Sequence, residues 1–187
     1  MDVFPRRMFL ALPVPSSRFA QARRGLEQYS RSLRIVPEQN YHITVKFLGD
    51  TGREAFDRLI SAMDEGPLPS KAVCLFRGLG CFPGLSDMKI IWAGMDYEKG
   101  TVDAIAAFCE RAAISAGFAP ETRRFVPHLT LARVKKEAHV ALGLKDYIKS
   151  NSDNFFFKHE FDRIVLFESL LKRGGPEYRE VKEWLLL

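Results

Sequence analysis

The sequence has few cysteines, no long apolar run and no block of like charge, and each shortage argues against a class of protein. Its three cysteines, Cys74, Cys81 and Cys109, have no CxxC spacing, which favours reduced thiols of a cytoplasmic protein over a disulfide framework. The apolar run near residue 10 is too short for a membrane span, and Pro13 and Pro15 interrupt it. The net charge of +5 favours an anionic partner without the charge block of a nucleic-acid-binding tail.

Histidine is also scarce, and its distribution is informative. Four histidines occur, without an HxH or HxxxH pair, so the spacing gives little indication of a metal site. We expect structural or solvent-facing roles for His139 and His159, because neither has a threonine two residues later. The other two, His42 and His128, each begin the pattern His-x-Thr followed by an apolar residue.

The pattern of apolar residues predicts an α+β fold. With 47% apolar residues the chain has enough material for one compact domain over residues 1–187. The predicted strands are Arg7 to Leu12, Leu33 to Val36, His42 to Leu48 (ending at Gly49), Val73 to Phe76, Ile90 to Met95, Phe155 to Phe161, Ile164 to Leu170 and Tyr178 to Leu185. The predicted helices are Ser16 (as N-cap) to about Ser30, Glu54 to Met63, Val102 to Ala116 and Val140 to Ile148. Each half of the chain thus holds a His-x-Thr strand, which predicts two similar lobes facing a central cleft.

Strand alternation predicts which residues of the first motif meet the substrate. Because side chains alternate across a strand, His42 and Thr44 share a face with Lys46, and Phe47 lies on the opposite, core face. At the second motif His128 and Thr130 share a face in the same way. If the lobes face each other, two imidazoles and two hydroxyls surround one small anion such as a phosphate.

Two histidines at one phosphorus match the needs of a phosphodiester reaction. One accepts a proton from the attacking water or hydroxyl, and the other protonates the leaving oxygen, each step contributing about 10²- to 10⁴-fold. The threonine hydroxyls would bind the non-bridging oxygens. This chemistry requires neither a metal nor another cofactor, and it predicts a bell-shaped pH profile.

At these residues the chain resembles the 2H phosphoesterase superfamily, and specifically the LigT-like RNA 2′,3′-cyclic phosphodiesterases, also described as 2′-5′ RNA ligases. The resemblance runs nearly end to end. It is carried by the double His-x-Thr and by the blocks "RRMFLALPVP", "LRIVPEQNYHITVKFLGD", "KIIWAGM", "RRFVPHLTLARV" and "IVLFESLLKRGGPEYREV". It implies a bilobal fold, two pseudo-symmetric lobes of antiparallel sheet with outer helices around the cleft.

The resemblance also implies residue roles. His42 is implied as the proton donor and His128 as the proton acceptor, while Thr44 and Thr130 are implied as phosphate ligands. The implied reaction opens a 2′,3′-cyclic phosphate to a 2′-phosphomonoester without a metal. Its reversal, with a 5′-hydroxyl in place of water, is ATP-independent 2′-5′ ligation.

Three further residues are weaker candidates for substrate binding. Arg133 follows the second motif as in the family, but strict alternation puts it on the face opposite His128 unless a bulge intervenes. Tyr41 and Phe125 are candidates for stacking a base at the edge of the cleft, whereas we expect Trp92 to pack in the core.

Two other functions stay open at this point. One is an RNA-binding module that holds a phosphate end without turnover, which the intact histidines and threonines disfavour. The other is a small cyclic-nucleotide phosphodiesterase of the same superfamily, which differs only in what the cleft admits. We expect RNA or an oligonucleotide with a 2′,3′-cyclic phosphate end as the partner, no membrane association and a monomer.

Overall fold

The computed structural model describes residues 3–136, 140–172 and 175–187. Within these residues the chain forms one antiparallel sheet and four α-helices. The strands are β1 (Arg6–Pro13), β2 (Leu33–Ile35), β3 (His42–Thr51), β4 (Ala72–Phe82), β5 (Ile90–Tyr97), β6 (Leu129–Val134), β7 (Phe155–Phe161), β8 (Arg163–Lys172) and β9 (Gly175–Leu185). The helices are α1 (Ala20–Glu27), α2 (Arg53–Glu65), α3 (Thr101–Ser115) and α4 (Leu144–Ser150). The predicted α+β class is confirmed.

The two motif-bearing strands lie together at the centre of the sheet. The strand order is β7-β4-β5-β6-β3-β1-β8-β9, and β2 pairs with β6 along the edge that also meets β3. We call β3, β1, β8 and β9 the β3 half-sheet, and β6, β5, β4 and β7 the β6 half-sheet. The two half-sheets do not correspond to the two halves of the chain, because the C-terminal strands β8 and β9 return to β1.

The two faces of the sheet have different environments. All four helices contribute buried side chains to one core cluster, which also contains Met8, Leu10 and Leu12 of β1. The alternate residues Phe9 and Ala11 belong to a separate small cluster on the other face. Strand β1 is therefore apolar on both sides, because one side faces the helices and the other faces the surface that carries the two motifs.

Several element boundaries differ from the sequence prediction for local reasons. Strand β3 does not stop at Gly49, since Gly49 adopts a left-handed φ of 71° and the pairing with β1 continues to Thr51. A 3-10 turn, Ser16–Phe19, precedes α1, and its N-cap residue is Pro15 rather than Ser16. Helix α3 is confirmed within one residue at each end, and Gly117 follows it with a φ of 96°.

Candidate active site

The pairing of β3 with β6 brings the two His-x-Thr motifs side by side. Ile43 pairs with Leu129 in antiparallel register. In such a pair the flanking residues also lie opposite each other, so His42 faces Thr130 across the strands and Thr44 faces His128. Ile43 and Leu129 are fully buried in the core. The four motif side chains consequently share the face of the sheet opposite the helices.

The His42 ring is held by hydrogen bonds at both nitrogens. Its Nδ1 lies 2.6 Å from the carbonyl oxygen of Asn40, and because a carbonyl only accepts, Nδ1 carries the proton. The Nε2 atom of the neutral ring therefore accepts the hydroxyl of Thr44, at 3.1 Å. The side chain of Asn40 in turn donates to the carbonyl of Pro176 in β9, at 2.8 Å. This chain of contacts orients Nε2 along the site face.

His128 has the same support on the other strand. Its Nδ1 donates to the carbonyl of Val126 at 2.7 Å, and Val126 precedes His128 by two residues just as Asn40 precedes His42. The Nε2 atom of a neutral His128 is thereby left as a proton acceptor. Each motif histidine is thus fixed as the Nδ1–H tautomer with Nε2 directed away from its own backbone.

Aromatic rings surround both imidazoles, but more closely around His42. The His42 ring lies 4.9 Å from Phe9, 5.2 Å from Tyr178 and 6.1 Å from Phe167, between ring centroids. The His128 ring has two aromatic neighbours, Phe82 at 4.9 Å and Trp92 at 6.4 Å between ring centroids. Rings exclude water, so each imidazole is partly desolvated.

The surroundings lower the pKa of both histidines. Desolvation lowers the pKa of His42 from 6.5 to about 4, against the favourable bond to Asn40, and the nearby positive charge of Arg133 and His128 acts in the same direction as desolvation. Desolvation also lowers the pKa of His128, and Arg133 again contributes. Both imidazoles are therefore neutral at pH 7 before an anion binds.

A β-bulge follows each motif at the same position. Along β3, Ala11 pairs with Thr44 and Leu10 with Lys46, so Val45 is the extra residue. Along β6, Trp92 pairs with Thr130 and Ile91 with Ala132, so Leu131 is the extra residue. Val45 and Leu131 each lie three residues after their histidine. A bulge adds one residue to its strand and so reverses which face later side chains occupy.

The first bulge removes Lys46 from the site. The prediction that Lys46 shares the face of His42 is wrong, because Lys46 pairs with Leu10, on the helix side of the sheet. Its side chain is 5% exposed, forms an ion pair with Glu110 of α3 at 2.8 Å and donates to the carbonyl of Ala119 at 2.8 Å. A substrate-binding role for Lys46 therefore has no geometric support. The same bulge places Phe47, predicted for the core, opposite Phe9 with 67% of its surface exposed.

The second bulge brings Arg133 onto the site face. Arg133 pairs with Ile90 and Thr130 with Trp92, and since Ile90 and Trp92 share a face of β5, so do Arg133 and Thr130. Strict alternation without the bulge had put Arg133 on the opposite side. Its positive charge contributes a lowering of the pKa of both motif histidines and of Tyr178. In the described part of the chain, Arg133 has no carboxylate within ion-pair distance.

The two aromatic candidates pack in or against the helix-side core. Tyr41 is 4% exposed and packs edge-on against Phe19 in the core, 5.9 Å between centroids, and burial raises the pKa of its phenol to about 12. The prediction that Tyr41 lies at a cleft edge is wrong, because it precedes His42 by one residue and points to the opposite face. Phe125 is half-buried against the helix-side core, and its stacking role stays a prediction.

His159 lies away from the two motifs. His159 of β7 is half-buried and packs edge-on against Phe161, 4.8 Å between centroids. His139 lies outside the described residues. Among the residues that the structure describes, no group of three or more His, Cys, Asp or Glu side chains is arranged to hold a metal ion. No helix in the same residues is long and apolar enough to cross a membrane.

Sequence reasoning missed several aromatic residues of the site. Phe9 was hidden because every position of β1 from Met8 to Leu12 is apolar, so no alternation marks its second face. Tyr178 comes from the far end of the chain and reaches His42 only because β8 and β9 return to β1. Trp92, predicted for the core, pairs with Thr130 and lies on the site face.

Comparisons with known proteins identify the family of this chain. A family model for LigT-like phosphoesterases matches residues 12–92 and 96–178. A protein of Methanocaldococcus jannaschii named RNA 2′,3′-cyclic phosphodiesterase is 33% identical over 95% of this chain and 99% of its own length. One of the same name from Aeropyrum pernix is 31% identical over 89% of this chain and 93% of its own length.

Solved structures share the fold. The apo form of Escherichia coli LigT superposes with a TM-score of 0.74 at 23% identity, covering 98% of this chain and 99% of LigT. A Thermus thermophilus protein superposes with a TM-score of 0.77 at 22% identity, covering 96% of this chain and 97% of the other. LigT has also been solved with 3′-AMP, and that structure superposes with a TM-score of 0.73 at 22% identity, covering 97% of this chain and 98% of LigT.

Proposed function

Since this chain belongs to the LigT-like phosphoesterase family, we propose that it is an RNA 2′,3′-cyclic phosphodiesterase that leaves a 2′-phosphomonoester. The observation that carries the proposal is the pairing of β3 with β6, which sets two His-x-Thr motifs on one face. Relatives at 31% to 33% identity over most of the chain carry that name. The substrate is RNA or an oligonucleotide ending in a 2′,3′-cyclic phosphate.

In the proposed reaction the two histidines transfer protons on opposite sides of the phosphorus. Neutral His128 accepts a proton from water at Nε2 while the water oxygen bonds to phosphorus. The bond from phosphorus to the 3′ oxygen breaks, and that oxygen takes the Nε2 proton of protonated His42. The products are a 3′-hydroxyl and a 2′-phosphate, and His42 regains its proton as His128 releases one.

His42 takes up its proton when the substrate binds. Without an anion the pKa of His42 is about 4, too low for the imidazolium to persist at pH 7. A bound phosphate places a negative charge beside both imidazoles and favours their charged forms. The first proton of the cycle is therefore taken up on binding, and the Asn40 carbonyl keeps the Nδ1 proton in place throughout.

Three further side chains stabilise the phosphate. Thr44 and Thr130 lie across from the two histidines and donate their hydroxyls to the non-bridging oxygens. Thr44 exchanges its present contact with His42 for one to the phosphate. Arg133 supplies the positive charge of the site face, and its planar guanidinium suits two phosphate oxygens at once.

The mechanism uses no metal or other cofactor, because the imidazoles supply both the acid and the base. Run in reverse, with a 5′-hydroxyl in place of water, the same proton transfers form a 2′-5′ bond without ATP. The proposal includes a monomer in the cytoplasm without membrane association. The structure contributes one supporting observation on the compartment: Cys74 and Cys109 are buried as free thiols, and Cys81 is half-buried and free.

The test is hydrolysis of a short RNA with a 2′,3′-cyclic phosphate end in EDTA, with the phosphate position of the product resolved by chromatography. We expect a 2′-phosphate and undiminished turnover in EDTA. Binding of the RNA without turnover between pH 5 and 9 would identify a phosphate-end binding module instead. Turnover of 2′,3′-cyclic mononucleotides but not of RNA ends would identify a small-nucleotide phosphodiesterase.

A further inference from the structure

We propose that Arg34 binds the phosphodiester that joins the terminal nucleotide to the rest of the RNA strand. This inference rests on the proposed function and adds a second phosphate site to it. Arg34 lies outside both motifs, in the short strand β2. A 2′,3′-cyclic mononucleotide has no such phosphodiester, so the second site gives RNA ends an affinity that mononucleotides lack.

Strand register places Arg34 beside Arg133 on the site face of the sheet. Arg34 of β2 pairs with Arg133 of β6. Residues directly opposite in an antiparallel pair project from the same face, with their Cβ atoms about 4.5–5.5 Å apart. The neighbours of Arg34 agree, since Leu33 and Ile35 pack in or against the helix-side core, whereas Arg34 between them is exposed. Arg34 therefore extends the site face one strand beyond Arg133.

The two facing arginines have no carboxylate to neutralise them in the described part of the chain. Like charges directly opposite on paired strands destabilise a sheet, yet no described carboxylate lies within ion-pair distance of either guanidinium. Glu38, the first acidic residue after Arg34, pairs with Arg23 at 2.8 Å. Asp87, which precedes β5, pairs with Lys89 at 3.0 Å. An exposed pair of cations without a counter-charge favours the binding of an anion.

The reacting phosphate does not require a second arginine. A cyclic phosphodiester has one negative charge and two non-bridging oxygens, and the proposed mechanism already gives these Arg133, Thr44 and Thr130. One guanidinium neutralises one such charge and can form two parallel hydrogen bonds to its oxygens. An anion bound by Arg34 is therefore a different phosphate.

The next phosphate along the RNA is the one that suits this position. The ribose that carries the cyclic phosphate is joined to the rest of the strand through its 5′ oxygen, so a second singly charged phosphodiester lies one nucleotide away. Arg34 lies one strand away from Arg133, a spacing of about 4.7–4.9 Å between the backbones, and both side chains are long enough to spread apart. Two adjacent cations then face two adjacent phosphates, which relieves the repulsion within each pair.

The first experiment compares two substrates that differ in the second phosphate, 2′,3′-cyclic AMP and the dinucleotide ApA ending in a 2′,3′-cyclic phosphate. We expect Arg34→Ala to raise KM for the dinucleotide about 10-fold, the equivalent of one charged hydrogen bond, and to keep cyclic AMP within about twofold of wild type. Arg34→Lys should recover part of the loss, because it keeps the charge. Arg111→Ala, an exposed change on α3, is the matched control and should behave as wild type on both substrates.

A neutral linkage identifies the group that Arg34 contacts. The same dinucleotide with a methylphosphonate between its two nucleosides lacks the charge of the internal phosphate. We expect the wild type to have a KM about 10-fold higher for the neutral dinucleotide than for the charged one, and Arg34→Ala to have equal KM values for the two. A wild type that does not distinguish the two linkages, or an Arg34→Ala variant that still does, would overturn the assignment.

A binding measurement separates this inference from the proposed reaction. Calorimetry of 2′-AMP and of the dinucleotide ApA with a 2′-phosphate needs no turnover, so a protein that binds without hydrolysis still tests Arg34. We expect Arg34→Ala to weaken the dinucleotide about 10-fold and to leave 2′-AMP unchanged. Equal weakening of both ligands would place Arg34 at the reacting phosphate, and unchanged affinity for both would remove it from the site. Either result would overturn the assignment.

Stability excludes a purely structural role for Arg34. Because Arg34→Ala removes the repulsion from Arg133, we expect its midpoint of denaturant unfolding to be at or above that of the wild type. A lower midpoint together with weaker binding of both ligands would show that Arg34 supports the fold and not the second phosphate.

Discussion

The two motif strands use the same backbone design and differ in the side chains placed on it. In both strands Nδ1 of the histidine donates to the carbonyl two residues before it, and a bulge follows three residues after it. The fifth residue then differs, Phe47 in β3 and Arg133 in β6. The comparison shows how one supporting geometry, used twice, gives a site whose two sides have distinct chemistry.

The difference extends to the proton affinity of the histidines. His42 lies against three rings and has its Nε2 bonded to Thr44, whereas His128 lies against two rings. Accordingly the pKa of His42 falls to about 4, while that of His128 is lowered without so large a shift. An acid and a base in one site require unequal environments, and His42 is the acid of the pair once bound phosphate raises its pKa above that of His128.

Removing either histidine should have the largest effect. We expect His42→Ala and His128→Ala each to lower kcat for cyclic phosphate hydrolysis about 10²- to 10⁴-fold, and the double variant to lose little more, because the pair acts as a unit. Steady-state kinetics on a 2′,3′-cyclic phosphate RNA measures this. His159→Ala is the matched control, since His159 lies outside the site. A wild-type kcat in either His42→Ala or His128→Ala would show that the two histidines do not act as an acid and base pair.

Arg133 should come next, and it tests the bulge at Leu131. We expect Arg133→Ala to lower kcat/KM about 10- to 100-fold, the equivalent of one charged hydrogen bond to the phosphate. Arg133→Lys should recover part of this, because it keeps the charge and loses the planar fork. Arg111→Ala, an exposed change on α3, serves as the control. If Arg133→Ala behaves like Arg111→Ala, then Arg133 does not face the substrate.

Lys46 should have the smallest effect on activity, and it tests the bulge at Val45. Lys46→Met breaks the ion pair with Glu110 and leaves the Ala119 carbonyl without its donor. We expect about 1 to 3 kcal/mol less stability in denaturant unfolding, with kcat and KM of the folded variant within about twofold of wild type. A folded Lys46→Met variant with a KM raised tenfold would contradict this placement and show that Lys46 contacts the substrate.

The sequence was sufficient for the fold class, for the four motif residues on one face and for helix α3, because these depend on local periodicity and turn residues. After each motif, however, the alternation of the sequence predicted the wrong face of the sheet for the side chains that follow. A bulge is set by the register between two strands, and nothing in "VKFLG" or "LARV" alone reveals that Val45 and Leu131 are extra residues. Lys46 was therefore expected to face the substrate and Phe47 to lie in the core, the reverse of what is observed.

The contacts of Tyr178 show the second limit of the sequence. Its ring meets His42 from β9, beyond the range of any local pattern, because the chain returns to β1 after building the β6 half-sheet. The proton affinity of His42 depends on that return, since the rings that desolvate it come from β1, β8 and β9. Such long-range packing follows from topology rather than from the motif itself.

The most direct test of the unequal pair is an NMR titration of the two imidazoles, first in the free protein and then with 2′-AMP. We predict that His42 titrates near pH 4 in the free protein and that the pKa of His128 is also lowered by desolvation, though by less. Bound 2′-AMP should raise the pKa of both, because its phosphate favours the charged rings. The proposed reaction needs His42 charged and His128 neutral beside the phosphate, so a His42 that titrates below His128 in the 2′-AMP complex, or rings that bound 2′-AMP leaves unshifted, would contradict the assignment of acid and base.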